Sequence, residues 1–308
     1  MSESRARHLY LRLAACLALL ACLLSWVAGA EAAKAADWQP LVAQLIADGA
    51  DAAQAEAVFA ASGVAYDPGA MGRKLRALYE QRFLPPGPEE PEPGPETWLA
   101  EQGLSFTAER LVKAVVFRLR HSDTLAQVQA EYGVDAGVVL AILVKESKLG
   151  EFLGDRPAAA SLGSMALARD WEDVASYVQD LGPTDEQQAW LKERQAERAD
   201  WAYVELIALL EYARENRMDA ATLPGSVYGA IGLCQFLPSN ALALGVDGDG
   251  DGRVDLFEPV DAMHSVANFL KQAGWVPGLS EDEQVRVLLR YNNDEHYART
   301  ILAIASRL

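Results

Sequence analysis

Two stretches of this sequence combine residue types and spacing that could do chemistry. The first places one glutamate on an apolar helix. The segment 135–150 opens on Asp135, a natural helix cap, continues as Ala136-Gly-Val-Val-Leu-Ala-Ile-Leu-Val-Lys-Glu-Ser-Lys-Leu, and stops at Gly150. Glu146 follows Leu143 and Ile142 by three and four residues and precedes Leu149 by three, so helical spacing sets it within the apolar stripe. A carboxylate there has two fates. It leans from the stripe's edge into water, or it is held where burial raises its pKa and makes it a proton donor near neutral pH.

The second stretch is Asp247-Gly-Asp-Gly-Asp-Gly-Arg-Val-Asp-Leu-Phe-Glu258. Its carboxylates stand at the first, third, fifth, ninth and twelfth positions, with Gly252 at the sixth and Val254 at the eighth, which is the spacing of an EF-hand calcium loop. Calcium takes six to eight oxygens. Asp247, Asp249 and Asp251 offer side chains, Arg253 a backbone carbonyl, and Glu258 the twelfth-position carboxylate. The same residues also fit an Asp-Gly surface turn that holds no ion. Without a cation three neighbouring aspartates repel one another, so a bare loop is expected to be splayed. Sensor loops work in pairs, and a single loop reads instead as a structural staple.

The elements that must position these residues are helical. Periodicity predicts helices over 108–119, 122–132, 135–149, 158–168, 171–180, 185–216, 238–244 and 261–272, with no run of alternating strands and no repeat of fixed period. The fold class expected is all-α. Residues 31–84 read as a small N-terminal helical region, 85–97 as a Pro/Glu-rich loop or linker that can neither propagate a helix nor join a sheet, and 98–308 as the main domain. Residues 1–30 have the layout of a secretory signal peptide: Arg5, Arg7 and Arg12, then an apolar run, then Ala28-Gly-Ala30. An uncleaved membrane anchor and lipid attachment at Cys16 or Cys22 compete with that reading. Each version expects an exported, monomeric protein in the periplasm, with membrane association through the N-terminus as one form. With 44 acidic against 27 basic residues and a net charge of −17, nucleic acid is not an expected partner. Cys234 is the only one of three cysteines beyond the export segment, so no internal disulfide is expected, and it reads as a small buried hydrophobe.

Between and after the two stretches lie Ser226-Val-Tyr-Gly-Ala-Ile-Gly-Leu-Cys-Gln-Phe-Leu-Pro-Ser239, Pro259-Val-Asp-Ala262, Ser265-Val-Ala-Asn-Phe-Leu270, Gly274-Trp275 and Leu289-Arg-Tyr-Asn-Asn293. Taken in order with Val144-Lys-Glu-Ser-Lys-Leu-Gly150, they resemble the membrane-bound lytic murein transglycosylase B family across roughly residues 66–308. The resemblance implies a lysozyme-like helical core with an embedded calcium loop. It also implies cleavage of peptidoglycan glycan strands between N-acetylmuramic acid and N-acetylglucosamine, with a 1,6-anhydro end formed in place of hydrolysis. Carried onto this chain, the catalytic acid falls on Glu146, and the sugar-binding positions fall on Ser226, Gln235, Tyr291, Asn292 and Tyr297, with the two tyrosines expected to supply stacking faces for sugar rings. Asp261 enters as a late calcium ligand, against the Glu258 that twelve-residue spacing suggests. The chain departs from the family pattern at Ser147-Lys-Leu-Gly150, where Thr-Arg-aromatic-Gly is common, and at Leu233-Cys234. Those departures leave open a catalytically weak or inactive, calcium-stabilised peptidoglycan-binding or scaffold protein.

Overall fold

The structure, a computed structural model, describes residues 37–85 and 108–308. The export segment, most of the Pro/Glu-rich stretch and residues 98–107 lie outside the described residues. In chain order the elements are α1 (Gln39–Ala47), α2 (Ala52–Ala60), α3 (Gly69–Phe83), α4 (Ala108–Arg120), α5 (Ser122–Tyr132), α6 (Ala136–Ser147), β1 (Arg156–Pro157) and α7 (Ala158–Leu167). They continue as α8 (Asp185–Glu215), β2 (Pro224–Gly225), α9 (Pro238–Leu244), α10 (Pro259–Gln272), α11 (Glu281–Tyr291) and α12 (Glu295–Ala305). The fold is all-α, with one two-residue antiparallel strand pair, Arg156 opposite Gly225 and Pro157 opposite Pro224. Among the described residues no single helix is long and apolar enough to cross a membrane.

Two central helices carry the core. The first, α7, is Ala-Ala-Ala-Ser-Leu-Gly-Ser-Met-Ala-Leu, and its small residues are buried all round, which lets the 31-residue α8 pack closely along it. The other, α6, opens where the Asp135 carboxylate accepts the Gly137 N–H at 2.7 Å, and every residue from Gly137 to Val144 is buried. It packs against α12 and α10, so a residue on its last turn faces elements from the end of the chain. A capping box at Thr184 and Gln187 starts α8. The N-terminal helices lie on α7 and α8: Gln54 donates to the Leu210 carbonyl at 2.9 Å and Tyr79 donates to Gln187 at 3.0 Å, while Arg156 of β1 pairs with Asp67 of the loop before α3 at 2.7 Å.

The segment 171–180, expected as one α-helix, is instead three successive 3₁₀ turns at Trp171–Asp173, Ala175–Tyr177 and Gln179–Leu181. Val174 and Val178 are fully buried, and Tyr177 presses on α3 so closely that a Cβ at Gly72 would lie 2.3 Å from its ring. Seating those three side chains at once favours the tighter winding over the continuous helix that local periodicity suggests.

Candidate functional site

The last turn of α6 ends abruptly. Lys148 and Leu149 both adopt left-handed backbone conformations, and the Leu149 N–H closes back on the Leu143 carbonyl at 3.0 Å. Ser147 stabilises the stop, its hydroxyl donating to the Leu143 carbonyl at 3.3 Å and accepting the Gly150 N–H at 3.0 Å. Among the described residues four non-glycine residues have positive φ, and three of them, Lys148, Leu149 and Gln235, sit in the two segments that frame Glu146.

Glu146 is partly buried. Its Oε1 accepts a hydrogen bond from the Tyr297 hydroxyl of α12 at 2.5 Å. Burial raises the carboxyl pKa, and the Tyr297 hydrogen bond and the Lys145 ammonium oppose it more weakly. Lys145 itself is pulled down by burial, against the upward pull of Glu146 and Asp294. Of the two fates open to Glu146, the structure selects the sheltered one.

The glycine-spaced segment lies near this carboxyl, whose charge reaches Cys234 within it. Gly225 and Ile231 form an isolated bridge, Ile231 and Phe236 exchange backbone hydrogen bonds at 2.8 and 3.1 Å, and the Leu233 N–H reaches the Leu256 carbonyl of the acidic loop at 2.8 Å. The Ser226 hydroxyl accepts the N–H groups of Tyr228 at 3.2 Å and Ala230 at 3.0 Å, so it shapes the turn. Gln235 adopts φ +49° and donates its amide to the Gly232 carbonyl at 2.9 Å, which leaves its side-chain oxygen as an acceptor-capable group. Cys234 is fully buried and burial pushes its thiol up to about 12, so it is an inert hydrophobe, as read from the sequence. Its carbonyl accepts the Tyr291 hydroxyl at 2.6 Å. Burial is the main cause that raises the pKa values of Cys234, Tyr291 and Tyr297, and the negative charge of Glu146 adds to each, so all three lie within its field.

The two tyrosines differ from the sugar-stacking expectation. Tyr297 is 5% exposed and offers no open ring face; its hydroxyl is what meets Glu146. Tyr291 sits among Phe236, Phe269 and Tyr297, its ring nearly parallel to that of Tyr297 with centroids 6.3 Å apart. Asn292 caps α11 and its side chain is exposed. The tyrosine-to-glutamate hydrogen bond was missed by sequence reasoning, because it joins residues 151 apart. A surface cavity of about 700 Å³, lined by Asp135, Val138, Glu281, Arg299 and Leu302 among others, does not include Glu146. Chemistry, rather than the size of a hollow, marks the site.

In the acidic loop, carboxylate oxygens of Asp247, Asp249 and Asp261 all lie within 4.8 Å of one another. Asp251 turns away to Arg253, whose guanidinium it accepts at 2.8 Å, and Glu258 is exposed at the start of α10. Asp261 sits on the first turn of α10 and is 3% exposed, accepting the N–H of Gly248 at 2.8 Å and of Asp255 at 2.6 Å. Burial raises its pKa, those backbone bonds lower it, and the Asp249 and Asp247 charges raise it again. The loop is wound rather than splayed: Asp247 alone accepts N–H groups from Gly250, Asp251 and Gly252. Three converging carboxylates are a hard-oxygen donor set that suits calcium.

The Transglycosylase SLT domain model matches residues 33–287. This chain belongs to that family. Its sequence is 30% identical over 199 residues to the membrane-bound lytic murein transglycosylase B of Escherichia coli, strain K12. That alignment covers 64% of this chain and 47% of the relative, so the chain spans about half the length of the curated protein it matches. The fold matches that of the soluble lytic transglycosylase SltB1 from Pseudomonas aeruginosa with a TM-score of 0.65 and 22% identity, over 87% of this chain and 98% of that one. The Escherichia coli lytic transglycosylase Slt35 in complex with calcium matches with a TM-score of 0.63 and 21% identity, over 91% and 94%. The family resemblance carried by the motifs and the lysozyme-like helical fold it implied are both borne out.

Proposed function

We propose that this protein is a lytic transglycosylase that cleaves the glycan strands of peptidoglycan between N-acetylmuramic acid and N-acetylglucosamine, with Glu146 as its single acid and base. One observation carries the reading. A lone carboxyl, raised in pKa by burial, accepts a hydrogen bond from Tyr297 with no second carboxylate described against it. Ordinary glycosidases need two carboxylates, one as acid and one as nucleophile or base. A transglycosylase can work with one. Protonated Glu146 gives its proton to the glycosidic oxygen as the bond to the muramic anomeric carbon breaks. The substrate's own N-acetyl oxygen stabilises the cationic carbon. Ionised Glu146 then takes the proton from the muramic C6 hydroxyl, whose oxygen closes onto the anomeric carbon as the 1,6-anhydro ring. The carboxyl ends as it began, and no water is consumed.

The family membership and the murein relative support the substrate class. Ser226 and the free oxygen of Gln235 suit recognition of the acetamido group at the turn, Tyr291 backs the turn, and Asn292 offers an exposed amide for sugar hydroxyls. For the loop, we infer a structural calcium ion held by Asp247, Asp249 and Asp261, with the Arg253 carbonyl as a further oxygen donor; the bound ion would neutralise charge that the loop otherwise concentrates. An exported protein of the cell envelope fits this activity and the N-terminal sequence. Incubation with purified sacculi followed by mass analysis tests the reaction: anhydromuropeptides are expected. Hydrated ends would make the protein a hydrolase, and glycan bound but uncut would make it a binding module.

A further inference from the structure

The helix α4 turns apolar side chains outward. Val112, Val115, Val116 and Leu119 recur at the spacing of one helical face, and all four are exposed, from 40% at Val115 to 70% at Leu119. They are four of the nine large apolar residues exposed among the described residues, so such residues are gathered on this face rather than scattered. The opposite face is the one the fold uses: Ala114 is fully buried, and α4 packs against α5 and α6. Val115 and Leu119 also line a groove of about 620 Å³ that continues along Leu125, Ala126 and Ala130 of α5.

Charge follows the same stripe. Within α4, Arg110, Lys113, Arg118 and Arg120 stand against Glu109 alone, in a chain whose net charge is −17. With 3.6 residues per turn, Lys113 and Arg120 fall on one flank of the stripe and Arg118 on the other, and all three are exposed. Pairing two copies of the chain stripe to stripe would bring these basic flanks together, like charge facing like charge. An anionic bilayer surface uses both parts of the pattern. The stripe enters the boundary of the acyl chains, and the long basic side chains reach up to the phosphates on either side.

We propose that α4 is an interfacial helix that docks the folded domain onto a membrane surface containing anionic phospholipid. Because α6 packs on α4, the helix that bears Glu146 is held beside that surface.

The test uses the full chain with vesicles of phosphatidylglycerol and phosphatidylcholine, and with vesicles of phosphatidylcholine alone. It reads hydrogen exchange of the α4 amides, since total binding would include the apolar N-terminal run. Exchange along α4 is expected to slow severalfold with the phosphatidylglycerol vesicles, to slow less as salt is added, and to stay unchanged with phosphatidylcholine alone. Val116→Glu and Leu119→Glu each abolish the slowing while melting within about 2 °C of the parent, because both positions are exposed. Arg118→Gln and Arg120→Gln each raise the lipid concentration for half the effect about fivefold. No slowing with either vesicle, or equal slowing with both, overturns the proposal. So does a drop of several degrees in the melting temperature of the Glu variants, which would make the chain's own residues 86–107 the cover of the stripe. A concentration-dependent dimer that Leu119→Glu dissolves would make a second copy the occupant and overturns it as well.

Discussion

At the scale of single residues, Glu146 sets the pH behaviour of the protein. Its pKa in the folded chain lies above that of the unfolded chain, with burial as the main cause. Below the unfolded value both states keep the proton and nothing is lost. As pH rises from there through the folded value, the unfolded chain ionises first, so stability falls across that window. Glu146→Gln removes this term, and the variant is expected to melt at or above the parent temperature, with the difference growing as pH rises, while turnover on sacculi drops by at least ~100-fold. Turnover within tenfold of the parent would end the single-acid account. Tyr297→Phe tests the partner. Its hydroxyl favours the ionised carboxylate, so losing it pushes the Glu146 pKa further up. The alkaline limb of the activity profile should move to higher pH, with kcat down about tenfold. An unmoved limb would mean that the hydrogen bond does not tune the acid.

At the scale of elements, the glycine turn and the acidic loop act as one unit. The contact between them is backbone to backbone, Leu233 N–H to Leu256 carbonyl, and it forms because Gly232 carries no side chain. A Cβ there would meet the Leu256 Cβ and oxygen at 2.5 Å, at a φ of +73° that side chains rarely adopt. Gly232→Ala is therefore expected to cost about 2–4 kcal/mol, read as a melting temperature lower by roughly 5 °C or more. A loss below about 1 kcal/mol would show that the turn relaxes freely. The loop is tied to α8 as well: Asn216 accepts the Val254 N–H at 2.6 Å, and the Tyr212 hydroxyl donates to the Val254 carbonyl at 2.9 Å and accepts the Leu256 N–H at 3.2 Å. An ion in the loop would thus brace the end of α8, the start of α10 and the glycine turn together.

At the scale of the whole molecule, that bracing predicts a calcium-dependent melting temperature. A bound ion stabilises by mass action, by about 2.7 kcal/mol at one hundred times its dissociation constant. Heating in excess calcium and in excess chelator should give transitions several degrees apart, and Asp249→Asn should narrow the gap. Coincident transitions would remove the structural ion from the account. Apart from 171–180, the helices expected in the main domain, the Asp135 cap and the two chemical stretches were legible from residue order, because helical periodicity and loop-ligand spacing are local properties. The acidic spacing pointed to Glu258, yet Asp261 joins Asp247 and Asp249. Pro259 starts α10, leaves Glu258 outside the helix and facing solvent, and turns Asp261 back toward the loop. Likewise Tyr297 read as a sugar platform and is instead the hydrogen-bond partner of the acid, since only the packing of α12 on α6 decides which part of its ring is covered. Residue order by itself determined the helical class, the family motifs and the presence of one suspicious glutamate. The packing of distant helices alone decided that this carboxyl is sheltered and who holds it, because desolvation and a hydrogen bond across 151 residues arise only once the chain has closed on itself.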